Sequence, residues 1–262
     1  MELKNKNVIV TGAASGVGKE LTKQLLAYNC NVAALDINEE NLNKLKEEFN
    51  SDKLKTYVVD MGSKESIEKF SKDYKNDYNN VDIIINNAGI IQPFVTVDKL
   101  EDNTINKVMN INFFGPVNLI KCFLDDLKTS KEEKYIVNVS SMGGFFPFPG
   151  QTVYGASKAA LKIFTEGLYA ELDKTNVKVM IVLPGAMNTG ITTNSNVEVK
   201  TTKEQSSMKM LEASDAARLI ITGIEKNKFK LFLGSDAKFL KFLYKINSKF
   251  AINYINKKMN NL

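Results

Sequence analysis

Asn7-Val8-Ile9-Val10-Thr11-Gly12-Ala13-Ala14-Ser15-Gly16-Val17-Gly18 joins an apolar strand pattern to a run of glycines and small residues, and an amphipathic helix pattern follows at once. Glycine lets a backbone turn tightly and approach a ligand closely, because no Cβ stands in the way. The N–H groups of such a turn and the positive end of the following helix dipole converge on one point, which suits a pyrophosphate. Gly12, Ser15, Gly16, Val17 and Gly18 are therefore candidate phosphate-binding positions. Three residues separate Gly12 from Gly16, which distinguishes the run from the commoner G-x-G-x-x-G form.

Working outward, a second strand pattern from Asn31 to Leu35 ends in Asp36, eighteen residues beyond Gly18. An acidic residue at this position hydrogen-bonds the ribose hydroxyls of a dinucleotide and repels a 2′-phosphate. Ile37 follows it, and Arg218 is the only arginine in the chain, so the guanidinium clamp usual for NADP has no source. NAD is expected over NADP, with Lys19 and Lys44 as the remaining cations that could reach a phosphate.

Apolar runs near residues 7–10, 31–35, 55–59, 82–86, 134–139, 177–183 and 229–233 alternate with helical patterns. Such alternation predicts an α/β protein with a seven-stranded parallel sheet and helices on both faces. Right-handed crossovers gather the carboxyl ends of the strands at one rim, where sites in such sheets form. No repeat, low-complexity tract or Pro/Gly/Ser-rich linker interrupts the pattern. The expectation is one domain over residues 1–234, with 235–262 as a basic amphipathic helical tail packed on it or extending it.

Tyr154 and Lys158 are four residues apart, so a helix brings them onto one face. The unperturbed Tyr pKa is about 10, and a neighbouring ammonium favours the phenolate; Lys158 is expected to draw Tyr154 down into a range useful for proton transfer. An ordinary amphipathic helix gives the same spacing, so context decides. Thirteen residues before Tyr154, the β-branched run Val137-Asn138-Val139-Ser140-Ser141 exits into Met142-Gly143-Gly144. Ser141 at this strand end could hold the same substrate oxygen that Tyr154 protonates, although a plain turn serine would look alike.

Taken together, Thr11 to Gly18, Asp60, Asn86-Asn87-Ala88-Gly89, Asn112-Phe113-Phe114-Gly115, Ser141, Tyr154 to Lys158, and Pro184-Gly185 with Thr189 stand in an order and spacing that resembles the short-chain dehydrogenase/reductase family of compact, roughly 250-residue chains. The resemblance covers the chain to about residue 234. It implies a single doubly wound Rossmann-type domain and a Ser141, Tyr154, Lys158 site in which Asn112 holds a water linking Lys158 to solvent. It also implies that Asn87, Ala88 and Gly89 pack beside the adenine ribose, and that Asp60 and Met61 contact the adenine ring. Pro184, Gly185 and Thr189 would surround the nicotinamide. The implied reaction is reversible hydride transfer between NAD and a secondary alcohol or ketone. A homodimer or homotetramer is implied as well, through the helices after Asn112 and around Tyr154. The four-residue Tyr–Lys interval departs from the longer one of enoyl reductases in the same superfamily, and the chain has no room for the substrate domain of the epimerases. A catalytically silent dinucleotide-binding scaffold, docking through its basic tail, is the alternative from another class.

Composition removes other chemistries. The chain contains no histidine, so neither a Ser-His-Asp triad nor an H-E-x-x-H zinc site can exist. Cys30 and Cys122 form no C-x-x-C pair, and no metal site is expected. Two cysteines, no leader pattern and no long apolar span predict a soluble, cytoplasmic protein.

Net charge is +5, yet residues 237–262 hold six lysines and no acid, so the basicity belongs to the tail. Phe239, Phe242, Leu243, Ile246 and Phe250 form an apolar stripe there, flanked by Lys238, Lys241, Lys245 and Lys249. The expectation is that the stripe packs on its own domain, lids the pocket or joins a subunit interface, with lipid contact through residues 238–259 as the less favoured choice. Nucleic acid is not an expected partner, because arginines and a stacking platform are missing. Phe94, Met142, Phe148 and Met187 fall in loops of the expected rim and suggest a bulky apolar substrate, hydroxysteroid-like or lipid-like, although core packing of the Phe145-Phe146-Pro147-Phe148 segment is an equal reading. Residues 186–210, polar and without apolar periodicity, suggest a loop that closes over the substrate.

Overall fold

Valine and isoleucine favour extended backbone, where a branched Cβ packs well; their runs become the strands of the computed structural model, which describes residues 1–188, 190–195, 197 and 210–260. The strands are β1 (Asn7–Thr11), β2 (Asn31–Asp36), β3 (Leu54–Val58), β4 (Ile83–Asn86), β5 (Lys134–Val139), β6 (Val177–Pro184), β7 (Met187–Asn188), β8 (Leu211–Glu212) and β9 (Lys230–Leu233). Among the described residues they form one seven-stranded parallel sheet, ordered β3-β2-β1-β4-β5-β6-β9, and a short parallel pair, β7-β8. Each of the seven apolar runs is a strand of the large sheet, its ends shifted by no more than one residue.

The helices are α1 (Gly16–Ala27), α2 (Glu39–Phe49), α3 (Lys64–Asp77), α4 (Asp102–Met109), α5 (Gly115–Thr129), α6 (Thr152–Glu171), α7 (Ile191–Asn194), α8 (Ala213–Glu225), α9 (Ser235–Ile246) and α10 (Ser248–Asn260). Local chemistry sets several of their ends. The Asn38 side chain accepts from Asn41 N at the start of α2, and Ser63 does the same for Ser66 N at the start of α3. Asn29 and Asn50 take left-handed conformations just beyond α1 and at the end of α2.

Alternation along β1 sends Val8 and Val10 to one face of the sheet and Ile9 to the other. The first face is covered by α1 and α8 through Leu21, Leu25, Ile220 and Ile224; the second by α3 and α5 through Phe70, Tyr74 and Phe123. Each such buried side chain contributes about 2 kcal/mol of transfer free energy. At the amino ends of the strands Asp82 and Lys134 form a buried ion pair at 2.6 Å, and the other Asp82 oxygen accepts from Asn7 N at 2.7 Å. That contact ties β1, β4 and β5 at the end opposite the rim.

The tail's stripe divides: Leu240 and Ala251 are buried with Phe146, and Ala237 is buried too, whereas Phe239, Phe242, Ile246 and Phe250 are exposed. Two apolar faces share α9, and only one can meet the sheet body. The segment from residue 186 is not irregular throughout, since β7 pairs with β8, and the Ser195 hydroxyl accepts from Ile91 N at 3.0 Å. The remainder of that loop expectation, including Thr189 and residues 198–209, lies outside the described residues. Among the described residues no helix is long and apolar enough to cross a membrane.

Candidate functional site

Strand order reverses between β1 and β4, so the loops leaving their carboxyl ends diverge and open a crevice. A cavity of about 530 Å³ lies there, lined by the segments that follow β1, β2, β4, β5 and β6. Gly12, Ser15, Gly16, Val17, Asp36, Asp60, Met61, Asn87, Ala88 and Gly89 line one part of it. Ser141, Tyr154, Lys158, Pro184, Gly185, Phe94, Met142, Phe148 and Met187 line the rest. Gly18 and Asn112 stand behind the wall, both buried, and Thr189 lies outside the described residues.

The glycine turn is shaped as its sequence requires. Gly12 has φ +64° and Gly16 φ +49°, conformations that a Cβ disfavours. Gly18, in the first turn of α1, packs so closely on the Gly12 carbonyl that a Cβ there would collide with it. Helix-start N–H groups have no intrahelical acceptor, and Ser15, Gly16 and Val17 bring that end of α1 to the cavity. The donor set and the room left by the absent Cβ atoms fit a pyrophosphate. Thr11 holds the turn: its Oγ1 accepts from Asn87 N and Ala88 N, both at 3.0 Å. The Asn87 side chain donates to Thr11 O at 3.0 Å.

Asp36 faces the cavity with its carboxylate fixed by backbone. One oxygen accepts from Ala14 N and the other from Asn38 N, each at 3.0 Å. Asp60 accepts from Gly62 N at 2.7 Å and is held in the same manner.

The opposite part of the cavity collects Ser141, Tyr154 and Lys158. Ser141 follows β5 and its Oγ accepts from Gly143 N at 3.0 Å; its hydroxyl is also hydrogen-bonded to the Tyr154 phenol. Lys158 is buried and its Nζ donates to Val139 O at 3.0 Å. The electrostatics reverse the sequence expectation. Burial pushes the Tyr154 phenol above its ordinary value, opposed only by the Ser141 hydroxyl, and burial pushes the Lys158 ammonium down to about 8. Desolvation penalises both charged forms and outweighs the attraction that sequence proximity suggests.

Asn112 sits in a π-helical turn, Asn110–Phe114, between α4 and α5, where Gly115 N donates to Asn110 O. Its Oδ1 accepts from Ile90 N, and its Nδ2 donates to Ile90 O and to Ser157 Oγ at 2.9 and 3.0 Å. Both amide hydrogens are thereby committed to a clamp between the loop after β4 and α6.

Gln92 was missed entirely. It is fully buried, and its Oε1 accepts from Val153 N at 2.8 Å and Tyr154 N at 3.0 Å, capping the helix that carries Tyr154. Its Nε2 donates to Gly150 O at 3.0 Å, and its backbone O accepts from Gln151 Nε2 at 2.7 Å. Ser140 was missed too; its hydroxyl donates to Lys158 O at 2.7 Å and ties the end of β5 to α6.

The phenylalanine segment divides. Phe148 and Met142 line the cavity, while Phe146 is fully buried against Phe148 and Tyr244 of α9, at 5.3 and 5.6 Å between ring centres. Asp236, at the start of α9, accepts from Ala186 N at 2.7 Å, beside Gly185 in the cavity wall. The tail is thus anchored to the loop after β6.

A family model described as short chain dehydrogenase matches residues 6–200. A 3-oxoacyl-[acyl-carrier-protein] reductase of Thermotoga maritima is 33% identical over 194 residues, spanning 73% of this chain and 78% of that one. A Burkholderia phymatum short chain dehydrogenase/reductase solved in complex with NAD has a TM-score of 0.81 at 22% identity, covering 88% of this chain and 90% of that one. A Burkholderia cenocepacia short chain dehydrogenase in complex with NADP also reaches 0.81, at 24% identity, covering 97% of this chain and 99% of that one. At these identities the two structures establish likeness of fold.

Proposed function

The chain belongs to the short-chain dehydrogenase/reductase family of oxidoreductases, and from that premise we propose reversible hydride transfer between NAD and a secondary alcohol or its ketone, with a bulky apolar substrate. The observation that carries this reading is the single cavity lined both by the glycine turn and by Ser141, Tyr154 and Lys158. Bound there, the nicotinamide supplies the two-electron chemistry. Everything else falls to the chain.

In the oxidative direction Tyr154, as phenolate, accepts the substrate hydroxyl proton; in the reductive direction its phenol returns that proton to the carbonyl oxygen. The Ser141 hydroxyl holds the same oxygen and steadies the phenolate. Lys158, fixed by Val139 O, would grip the nicotinamide ribose, and Pro184 and Gly185, in the cavity wall, would lie beside the ring. Asn112 positions α6 through Ser157. Met61 and Asp60, which line the cavity with Ala88 and Gly89, would hold the adenine. Phe94, Met142, Phe148 and Met187 give the substrate end its apolar lining.

NAD is favoured over NADP because the Asp36 carboxylate stands at the ribose end with Ile37 beside it. The one arginine, Arg218, is on α8 and ion-paired with Asp215 at 2.8 Å. Residues 1–234 are read as the dinucleotide-binding domain, with α9 and α10 docked on its substrate side. Exposed Phe114, Ile163 and Tyr169 near α5 and on α6 support a homodimer or homotetramer through those helices.

Absorbance at the reduced-nicotinamide band tests the reading, using NAD and NADP separately with alcohols from short-chain to fatty and hydroxysteroid. NAD-dependent turnover of the large apolar alcohols is expected, and Tyr154→Phe should lower it by about 10³-fold or more with NAD affinity nearly unchanged. Full activity in that variant would remove Tyr154 from the mechanism, and NADP preference would overturn the role given to Asp36.

A further inference from the structure

Helix α9 carries two apolar faces. At 3.6 residues per turn, Phe239, Phe242 and Ile246 fall within about 60° of one another, and Ala237, Leu240 and Tyr244 centre about 150° away. The second face meets the protein through Phe146. The first does not: Phe239 is 53%, Phe242 64% and Ile246 66% exposed, and Phe250 of α10 adds another ring at 57%. Lys238, Lys241 and Lys245 lie between the two faces, and Lys249 stands beside Phe250. Large apolar side chains gathered in water mark a contact surface.

Charge selects the occupant. Residues 237–262 contain six lysines and no carboxylate side chain. A second copy meeting this patch across a two-fold axis would bring its own lysines against these. An anionic bilayer surface satisfies both features, since phenyl rings and isoleucine enter the headgroup boundary while lysine ammonium groups reach lipid phosphates. We propose that the outward face of α9, continued by Phe250, is a docking surface for anionic lipid. The proposal goes beyond the reaction assigned above and does not depend on turnover. Phe148 lines the cavity and shares a packed cluster with Leu240, so the docked face lies beside the substrate end of the cavity.

Sedimentation of the full chain with vesicles tests the surface, comparing pure phosphatidylcholine with phosphatidylcholine containing about one third phosphatidylglycerol. The protein is expected to pellet with the anionic vesicles, to stay in solution with the neutral ones, and to be released by about half-molar salt. Phe242→Ser with Ile246→Ser, and separately Lys238→Gln with Lys245→Gln and Lys249→Gln, should each weaken partitioning about tenfold. Because these side chains are exposed, melting temperature and gel-filtration volume should not change. Absence of pelleting, equal pelleting on both vesicle types, or unchanged partitioning of both variants would each overturn the proposal. So would variants that keep lipid binding but dissociate an oligomer, which would make the patch a subunit interface.

Discussion

The two ends of the cavity are built differently. Around Gly12, Asp36 and Asn87 the lining is largely backbone and short side chains, each fixed by hydrogen bonds to a neighbouring strand end. Around Phe94, Phe148 and Met187 it is apolar side-chain surface, of which Phe148 shares a cluster with Leu240 of α9. The first end suits a ligand of fixed shape whose charge must meet fixed N–H groups. The second can change its side chains without moving a strand, and substrate choice belongs there. If this contrast is real, substitutions at the first end should disrupt binding and fold together, and substitutions at the second should change selectivity alone.

Gly18→Val should give the largest effect. The new side chain has no room against the Gly12 carbonyl, so either α1 or the turn must shift. Overpacking on backbone is expected to cost about 3 kcal/mol and to lower dinucleotide affinity by about 100-fold, measured by urea unfolding and calorimetric titration. A variant that binds NAD normally would break the claim that this end is rigid.

Lys158 gives a pH signature. Its ammonium is pushed from 10.5 down to about 8 in the folded chain, so between those values the unfolded chain binds more protons and stability rises with pH. The contribution is on the order of 3 kcal/mol when complete, absent below about pH 8. Tyr74 and Tyr135, whose phenols burial pushes up, pull the other way above pH 10. The readout is therefore wild type minus Lys158→Met, compared by urea unfolding at pH 7.5 and 10; a constant difference would contradict the buried ammonium.

Gln92→Leu sharpens the contrast from the boundary between the two ends. It removes the acceptor for Val153 N and Tyr154 N and the donor to Gly150 O. Unsatisfied helix-start groups in a buried site should cost about 2 kcal/mol. Turnover should fall more than NAD affinity, since the disturbed turn carries Tyr154 and the glycine turn is untouched. An equal fall in both would mean that the two ends are not separable.

How much of this was legible in the sequence follows the same division. Strand runs, the glycine turn and Asp36 could be read because local chemistry determines them: β-branched residues favour strands, and a positive φ favours glycine. Gln92 could not be read, because it caps a helix start sixty residues further on and sits in a loop with no capping pattern of its own. The direction of the Tyr154 shift differs from the sequence expectation for a related reason. Spacing gives proximity of Tyr154 and Lys158, whereas burial, which dominates both, comes from the packed wall. The stripe on α9 showed its apolar character in sequence but not which of two faces would be covered.

Phe94→Ala should be the smallest change and the most discriminating. Its ring is 47% exposed at the cavity edge, so little packing is lost and stability should move by no more than about 0.5 kcal/mol. Removing an apolar wall should raise KM for fatty and steroid alcohols by about tenfold, as the loss of about 1.4 kcal/mol of contact would, while short alcohols that never reach the wall keep their constants. An equal loss for short and long alcohols would place Phe94 nearer the reacting carbon than the edge position allows. No loss for either would move the substrate to the Phe148 side, against the cluster under α9.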